Sequence, residues 1–264
     1  MPDINNLEGL LKKLGLKAMA QQYLSYADGC EKSGQTYLEY LTQLVSLELE
    51  DRDQRRIQRL TKQAHLPCLK TIEEFKLQRV KGLSPSILEV LRGGQFIDQC
   101  ENLLLFGNPG TGKTHLCIGL AQAWCQRGRK VLYTSAASLV QRLLRAKRDL
   151  ELDQLIKQFD RLDMLIIDDI SYVPYERQET DVLFTLLSER YERRSMMITS
   201  NTKFSDWESI FKDKMTTAAA IDRLVHHSTI LELNAPSYRT EIAKKKKSKR
   251  KKTTQKKPTK KEAK

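Results

Sequence analysis

Leu7, Leu10, Leu11 and Leu14 recur at the i, i+3, i+4, i+7 spacing of an amphipathic helix, and residues 5–65 contain no strand-like run. Gly29 and Gly34 bracket a break, and residues 36–64 then read as one long, charged helical stretch that Pro67 ends. Residues 66–97 read as a connector. It holds a short helix after Ser84-Pro85, where Ser84 suits the cap and Pro85 the first turn. From Asn102 the pattern changes. Leu103–Phe106, Val131–Tyr133, Met164–Ile167, Met196–Ile198 and Thr229–Leu231 are short apolar runs separated by amphipathic stretches. Buried strands alternating with helices predict an α/β fold, a parallel sheet covered by helices on both faces. The predicted organisation is a small all-helical domain over 1–66, a connector over 67–97, an α/β domain over 98–242 and a tail over 243–264. No internal repeat is present.

Charge sharpens this picture. The 264 residues carry a net +13, but residues 244–264 hold 13 Lys/Arg against one acid, Glu262, which leaves the body at +1. Such a tail has no core-forming residues and is expected to be disordered. No apolar run reaches the roughly 18–20 residues that cross a bilayer, and the N-terminal residues lack a signal peptide's basic and apolar regions. Membrane and secreted readings are excluded on that basis. Cys30, Cys68, Cys100, Cys117 and Cys125 are odd in number and form no CxxC pair, which reads as reduced thiols in a cytoplasmic protein.

The chemistry begins at Gly107-Asn108-Pro109-Gly110-Thr111-Gly112-Lys113-Thr114, a full G-x-x-x-x-G-K-[ST] string. Glycines let backbone N–H groups approach phosphates without Cβ clashes, and the helix that follows (about 114–127) aims its positive end at them. Lys113 supplies a charge to the outer phosphates of ATP, and the Thr114 hydroxyl can ligate Mg²⁺. A P-loop needs a metal-side acid at the end of a neighbouring apolar strand. Met164–Ile167 ends in Asp168-Asp169: Asp168 is the candidate metal ligand and Asp169 the candidate that polarises the attacking water. Asn201 follows the fourth apolar run, where it can orient water or γ-phosphate. Arg223 precedes the last run and can reach a neighbour's nucleotide. Phe96 or Ile97 is a candidate for packing on adenine.

These residues together resemble the IstB-type helper ATPases of bacterial insertion sequences, close kin of the DnaC-type helicase loaders within the AAA+ class. The resemblance covers about residues 5–242. It includes Asn102–Thr114, Leu165–Asp169, Thr199-Ser200-Asn201, Asp222-Arg223-Leu224 and Pro236–Arg239. It implies an AAA+ domain, a sensor 1 role for Asn201 and an arginine finger role across a subunit interface for Arg223. Two departures stand out. Asp169 replaces the Glu that most AAA+ proteins carry, and no helical lid follows the sheet, so Arg239 receives no role.

A near-neutral body with a polycationic tail points to polyanions bound with little sequence preference; a solubilising extension is the alternative. Two helical stripes are more discriminating. Arg52, Arg55, Arg56, Arg59 and Lys62 lie along one side of the 36–64 segment, opposite Ile57, Leu60 and Ala64. Solvated faces paired with Glu48, Glu50, Asp51 and Asp53 explain them equally well. Arg142, Arg145 and Arg148 follow i, i+3, i+6, opposite Leu139, Val140, Leu143 and Leu144, and read better as a DNA contact. The reading that follows is an ATPase that self-associates on double-stranded DNA and assists a separate transposase. A DnaC-like helicase loader is the alternative. A non-hydrolysing scaffold stays open because of Asp169, and a small-molecule kinase lacks an acceptor pocket and an arginine-bearing lid.

Overall fold

The computed structural model describes residues 6–80, 82–171, 175–211, 213–238 and 240. The lysine-rich tail expected over 243–264 lies outside the described residues. The chain divides into two compact units, Met1–Leu60 and Thr61–Lys264.

The first unit is helical. α1 (Leu7–Lys13) and α2 (Lys17–Ser33) pack with α3 (Tyr37–Gln63) around Leu11, Met19, Ala20 and Leu44. Gly34 ends α2 in the left-handed region at φ 67°, which glycine adopts without a Cβ penalty. Thr36 and Glu39 form a reciprocal cap that starts α3. The leucine stripe is only half used. Leu11 is buried with Leu7 packed alongside, but α1 stops at Lys13, and Leu10 and Leu14 are 43% and 71% exposed. The polar centre of the unit is Glu48 on α3. Its buried carboxylate accepts the Ala18 and Met19 amides, two orphan donors of the first turn of α2, at 2.8 and 3.3 Å. Arg52 Nε donates to it at 2.9 Å. Burial alone pushes this carboxyl up; the Arg52 bond and the two amides outweigh it and hold it below the usual range.

The second unit is the α/β sheet. β1 (Asn102–Phe106), β2 (Val131–Ser135), β3 (Met164–Asp168), β4 (Ser195–Ser200) and β5 (Ser228–Glu232) pair in parallel, in the order β2-β3-β4-β1-β5. The three central strands are buried along their whole length, as the continuous apolar runs require. Leu104, Phe106, Leu165, Ile167, Met196 and Ile198 meet α7 (Ala136–Arg148), α8 (Leu152–Asp160), α9 (Arg177–Arg190) and α11 (Lys214–Val225), with α10 (Glu208–Phe211) beside them. The alternate residues Leu103, Leu105, Met164, Ile166 and Met197 are also fully buried, and α6 (Lys113–Gln126) lies against β2 and β4.

The connector is an integral part of this unit. Ser84 caps α4 (Pro85–Gly93) by accepting the Ile87 amide, and Gly94 leads into α5 (Gln95–Asp98). Trp124 of α6 donates to the Leu91 carbonyl at 2.9 Å. Ile72 lies so close over Gly119 that a Cβ there would come within 3.1 Å of it. Arg190, on α9, is fully buried and ties three ends together, donating to the carbonyls of Phe159 (2.6 Å), Leu162 (3.4 Å) and Ser195 (2.8 Å). Burial lowers its guanidinium to about 10, so it is still a cation at neutral pH.

Candidate functional site

Strand order places the site. β3 and β4 lie side by side with β1 on the far side of β4, and all strands end on one edge. The loop after β1, the acids ending β3 and the asparagine after β4 therefore meet there. Gly107, Gly110 and Gly112 all have positive φ, at 153°, 85° and 111°. Gly107 is also sterically required, because the atom it faces is backbone. A Cβ on Gly107 would come 2.6 Å from the Leu233 carbonyl oxygen, and one on Gly110 would overlap Ser237 Oγ.

Lys113 opens α6 and is buried. Its ammonium donates to the Gly107 and Asn108 carbonyls at 2.5 and 3.2 Å and to Asn201 Oδ1 at 2.6 Å. The other end of the Asn201 amide, Nδ2, donates to Asp169 Oδ1 at 3.2 Å. Asn201 thus bridges the lysine of one strand-end to an acid of another. Asp169 itself sits at φ 58°, a left-handed conformation that Asp tolerates better than most residues, and its amide donates to Thr199 Oγ1 at 2.8 Å.

Asp168 is the buried acid, 5% exposed. Its Oδ2 accepts Thr114 Oγ1 at 3.0 Å and the Tyr133 hydroxyl at 2.5 Å; its Oδ1 accepts Thr199 Oγ1 at 2.6 Å. Thr114 and Asp168 thus present hard oxygen donors to one point, the donor set that Mg²⁺ takes. The donor chemistry fits that ion.

The remaining candidates have other partners. Arg223, half-buried on α11, donates to Ala219 O at 3.2 Å and stacks 5.0 Å over the Phe184 ring. Arg142, Arg145 and Arg148 are exposed along α7, with Arg142 5.1 Å over the Phe159 ring and Arg148 paired to Asp149. On α3, Arg52 pairs with Glu48, Arg55 with Asp51 and Glu48, and Arg56 and Arg59 are exposed. Phe96 and Ile97 are buried, and Phe96 packs edge-on against Trp124 at 5.8 Å. Trp124 lies eleven residues beyond Lys113, about 16 Å along the helix at its normal rise, so Phe96 closes the core far from the glycine loop.

Three contributions carry no signal in the sequence pattern. Tyr133 and Thr199 anchor Asp168. An aromatic cluster of Phe106, Phe204, Trp207 and Phe211 backs the end of β4, with Trp207 Nε1 donating to Ser200 Oγ at 3.2 Å. The glycine loop is also covered. Tyr238 N donates to Gly110 O at 3.0 Å, and Lys76 and Arg79 lie 5.0 and 4.8 Å from the Tyr238 ring centre.

A parallel sheet with a glycine loop after β1, a lysine and threonine opening the next helix and an acid pair ending β3 is the architecture of a P-loop protein. AMPPCP-bound DnaA from Aquifex aeolicus shares this fold, with a TM-score of 0.54 at 18% identity over 70% of this chain and 56% of that one. A second structure of a replication initiator DnaA, bound to AMPPCP and single-stranded DNA, superposes with a TM-score of 0.55, again at 18% identity and with the same coverage. The chain belongs to the IstB-like ATP binding protein family, whose model matches residues 9–249. It is 40% identical over 235 residues to a relative from Sinorhizobium fredii named for an insertion sequence and for ATP binding, covering 89% of this chain and 79% of the relative. A similarly named relative, of insertion sequence IS21 from Pseudomonas aeruginosa, is 35% identical over 92% of this chain and 91% of its own length.

Proposed function

We propose that this chain is an Mg²⁺-dependent ATPase that assembles on double-stranded DNA and helps a separate transposase to capture its target. The observation that carries the reading is the meeting of Lys113, Thr114, Asp168, Asp169 and Asn201 at one edge of the sheet. Family membership and the insertion-sequence names of the relatives supply the context.

The chemistry follows from the contacts. Amides of the loop and the start of α6 receive the phosphates. Lys113 exchanges its loop carbonyls for the outer phosphate oxygens, a stronger, charge-assisted contact. Thr114 and Asp168 would hold Mg²⁺, which would offset the charge on the phosphate oxygens. Water attacks the γ-phosphorus, the bond to the β-phosphate oxygen breaks, ADP leaves, and the water's proton passes to Asp169. Asn201, already bonded to Asp169, orients that water. Asp169 is one methylene shorter than Glu, so its left-handed backbone conformation and the Thr199 bond set its reach. Arg223 completes the site of a neighbouring subunit, which makes turnover depend on assembly. Arg142, Arg145 and Arg148 contact DNA phosphates, with Arg56 and Arg59 contributing. Arg52 and Arg55 serve chiefly to hold Glu48 and Asp51.

Steady-state ATP turnover of the full chain, with and without duplex DNA, tests the reading. DNA should raise the rate, and background turnover in both arms would leave only a nucleotide-dependent scaffold.

A further inference from the structure

We infer that Tyr133 is a positioning residue for the metal-side carboxylate, holding Asp168 Oδ2 in place for the Mg²⁺-nucleotide while Thr199 holds Oδ1. The inference rests on the nucleotide reading above and deepens it.

The sheet register makes the contact possible. Tyr133 pairs with Ile166, and Ser135 pairs with Asp168, so Asp168 lies diagonally across from Tyr133 on the same face. A diagonal neighbour is about 7–8 Å away, within reach of a long aromatic side chain but not of a short hydroxyl. On the other flank Ile167 pairs with Ile198, so the next residues, Asp168 and Thr199, are lateral neighbours, and a short threonine hydroxyl suffices. Tyrosine on one side and threonine on the other are the side chains those two separations call for.

The chemistry gives Tyr133 a task. A carboxylate buried this deeply is costly unless each oxygen accepts hydrogen bonds, and among the described residues the donors to Asp168 are neutral hydroxyls: Thr114, Tyr133 and Thr199. Thr114 is itself a ligand candidate. Once its oxygen turns to a cation, Tyr133 is the remaining hydroxyl donor to Oδ2. Hydrogen bonds that fix a ligating carboxylate are worth roughly 10–100-fold in metal affinity. The tyrosine ring stays in place with or without its hydroxyl, so Tyr133→Phe separates orientation from packing.

The test measures affinity for a fluorescent ATP analogue by anisotropy, at graded Mg²⁺ and in EDTA, on the full-length wild type, Tyr133→Phe and Thr199→Val. For Tyr133→Phe the half-saturating Mg²⁺ concentration should rise by about tenfold, within the range of such supporting bonds. Its affinity in EDTA and its melting temperature should match the wild type. Thr199→Val should move Mg²⁺ dependence in the same direction. An unchanged Mg²⁺ requirement in Tyr133→Phe overturns the inference, as does an equal loss of affinity with and without Mg²⁺, which marks a packing role. Mg²⁺-promoted binding by the wild type upholds the nucleotide reading whichever way Tyr133→Phe falls. Its absence overturns that reading and this inference with it.

Discussion

Glu48 and Asp168 are both buried carboxylates, and their partners differ in kind. Glu48 is met by the guanidiniums of Arg52 and Arg55 and by two helix-start amides, Asp168 by three hydroxyls. The first set neutralises the acid and makes it structural. The second leaves its negative charge without a matching cation among those donors, the arrangement of a ligand. The structural role of Glu48 has a pH signature. Its carboxyl is held below the usual value of 4.5, so the folded state binds fewer protons than the unfolded chain in that range. The stabilisation is present above the unfolded value and is lost as pH falls through the folded one. Glu48→Gln should cost about 1.5–3 kcal/mol at neutral pH, the scale of a charged hydrogen bond. It should also flatten the acid limb of stability, as read by hydrogen exchange over residues 17–33. An acid limb identical to the wild type would contradict this.

At the scale of elements, α11 carries Arg223, the residue proposed to act on a second copy. Arg223→Ala should bind ATP normally and hydrolyse it about 10³-fold or more slowly, the usual worth of a finger. Mixing it with Asp168→Ala subunits should restore part of the rate, because one partner then supplies the finger and the other an intact site. Coupled-assay rates of the mixture that match the sum of the separate variants would argue against action in trans. The same scale shows what could be read without coordinates. Continuous apolar runs have one stable home, a sheet covered on both faces, so the five strands were legible to within two residues at either end. The glycine loop was legible because its parts are contiguous, and Asp168-Asp169 because acids at the end of a buried strand stand out. Tyr133 was hidden because its partner is set by β2–β3 register, which no local pattern encodes. Arg190 was hidden among charged neighbours, Glu189, Glu192, Arg193 and Arg194, and reads as solvated until three carbonyls are seen around it. The connector was silent for a related reason. Ile72 and Phe75 stand among charged residues outside any helix, yet close over Gly119 and Gly112; Leu91, on the helix that Ser84-Pro85 predicts, accepts the Trp124 indole, a partner the local pattern does not name.

Across the whole molecule, charge and nucleotide are the two levers. The body is close to neutral and residues 244–264 carry +12. Deleting that segment should weaken duplex binding and reduce the slope of log affinity against log salt by about 0.9 for each phosphate no longer neutralised. Basal turnover should be spared. An unchanged slope would assign the segment to solubility. In the proposed function DNA binding and assembly both follow nucleotide binding at the P-loop, and that first step can be measured alone. Isothermal titration of the folded full-length chain with ATP and Mg²⁺ is the most direct check. The account predicts saturable heat at one site per chain, abolished in Lys113→Ala; a wild-type chain that gives no heat at any temperature tried, or a Lys113→Ala chain that binds as well as wild type, would contradict it.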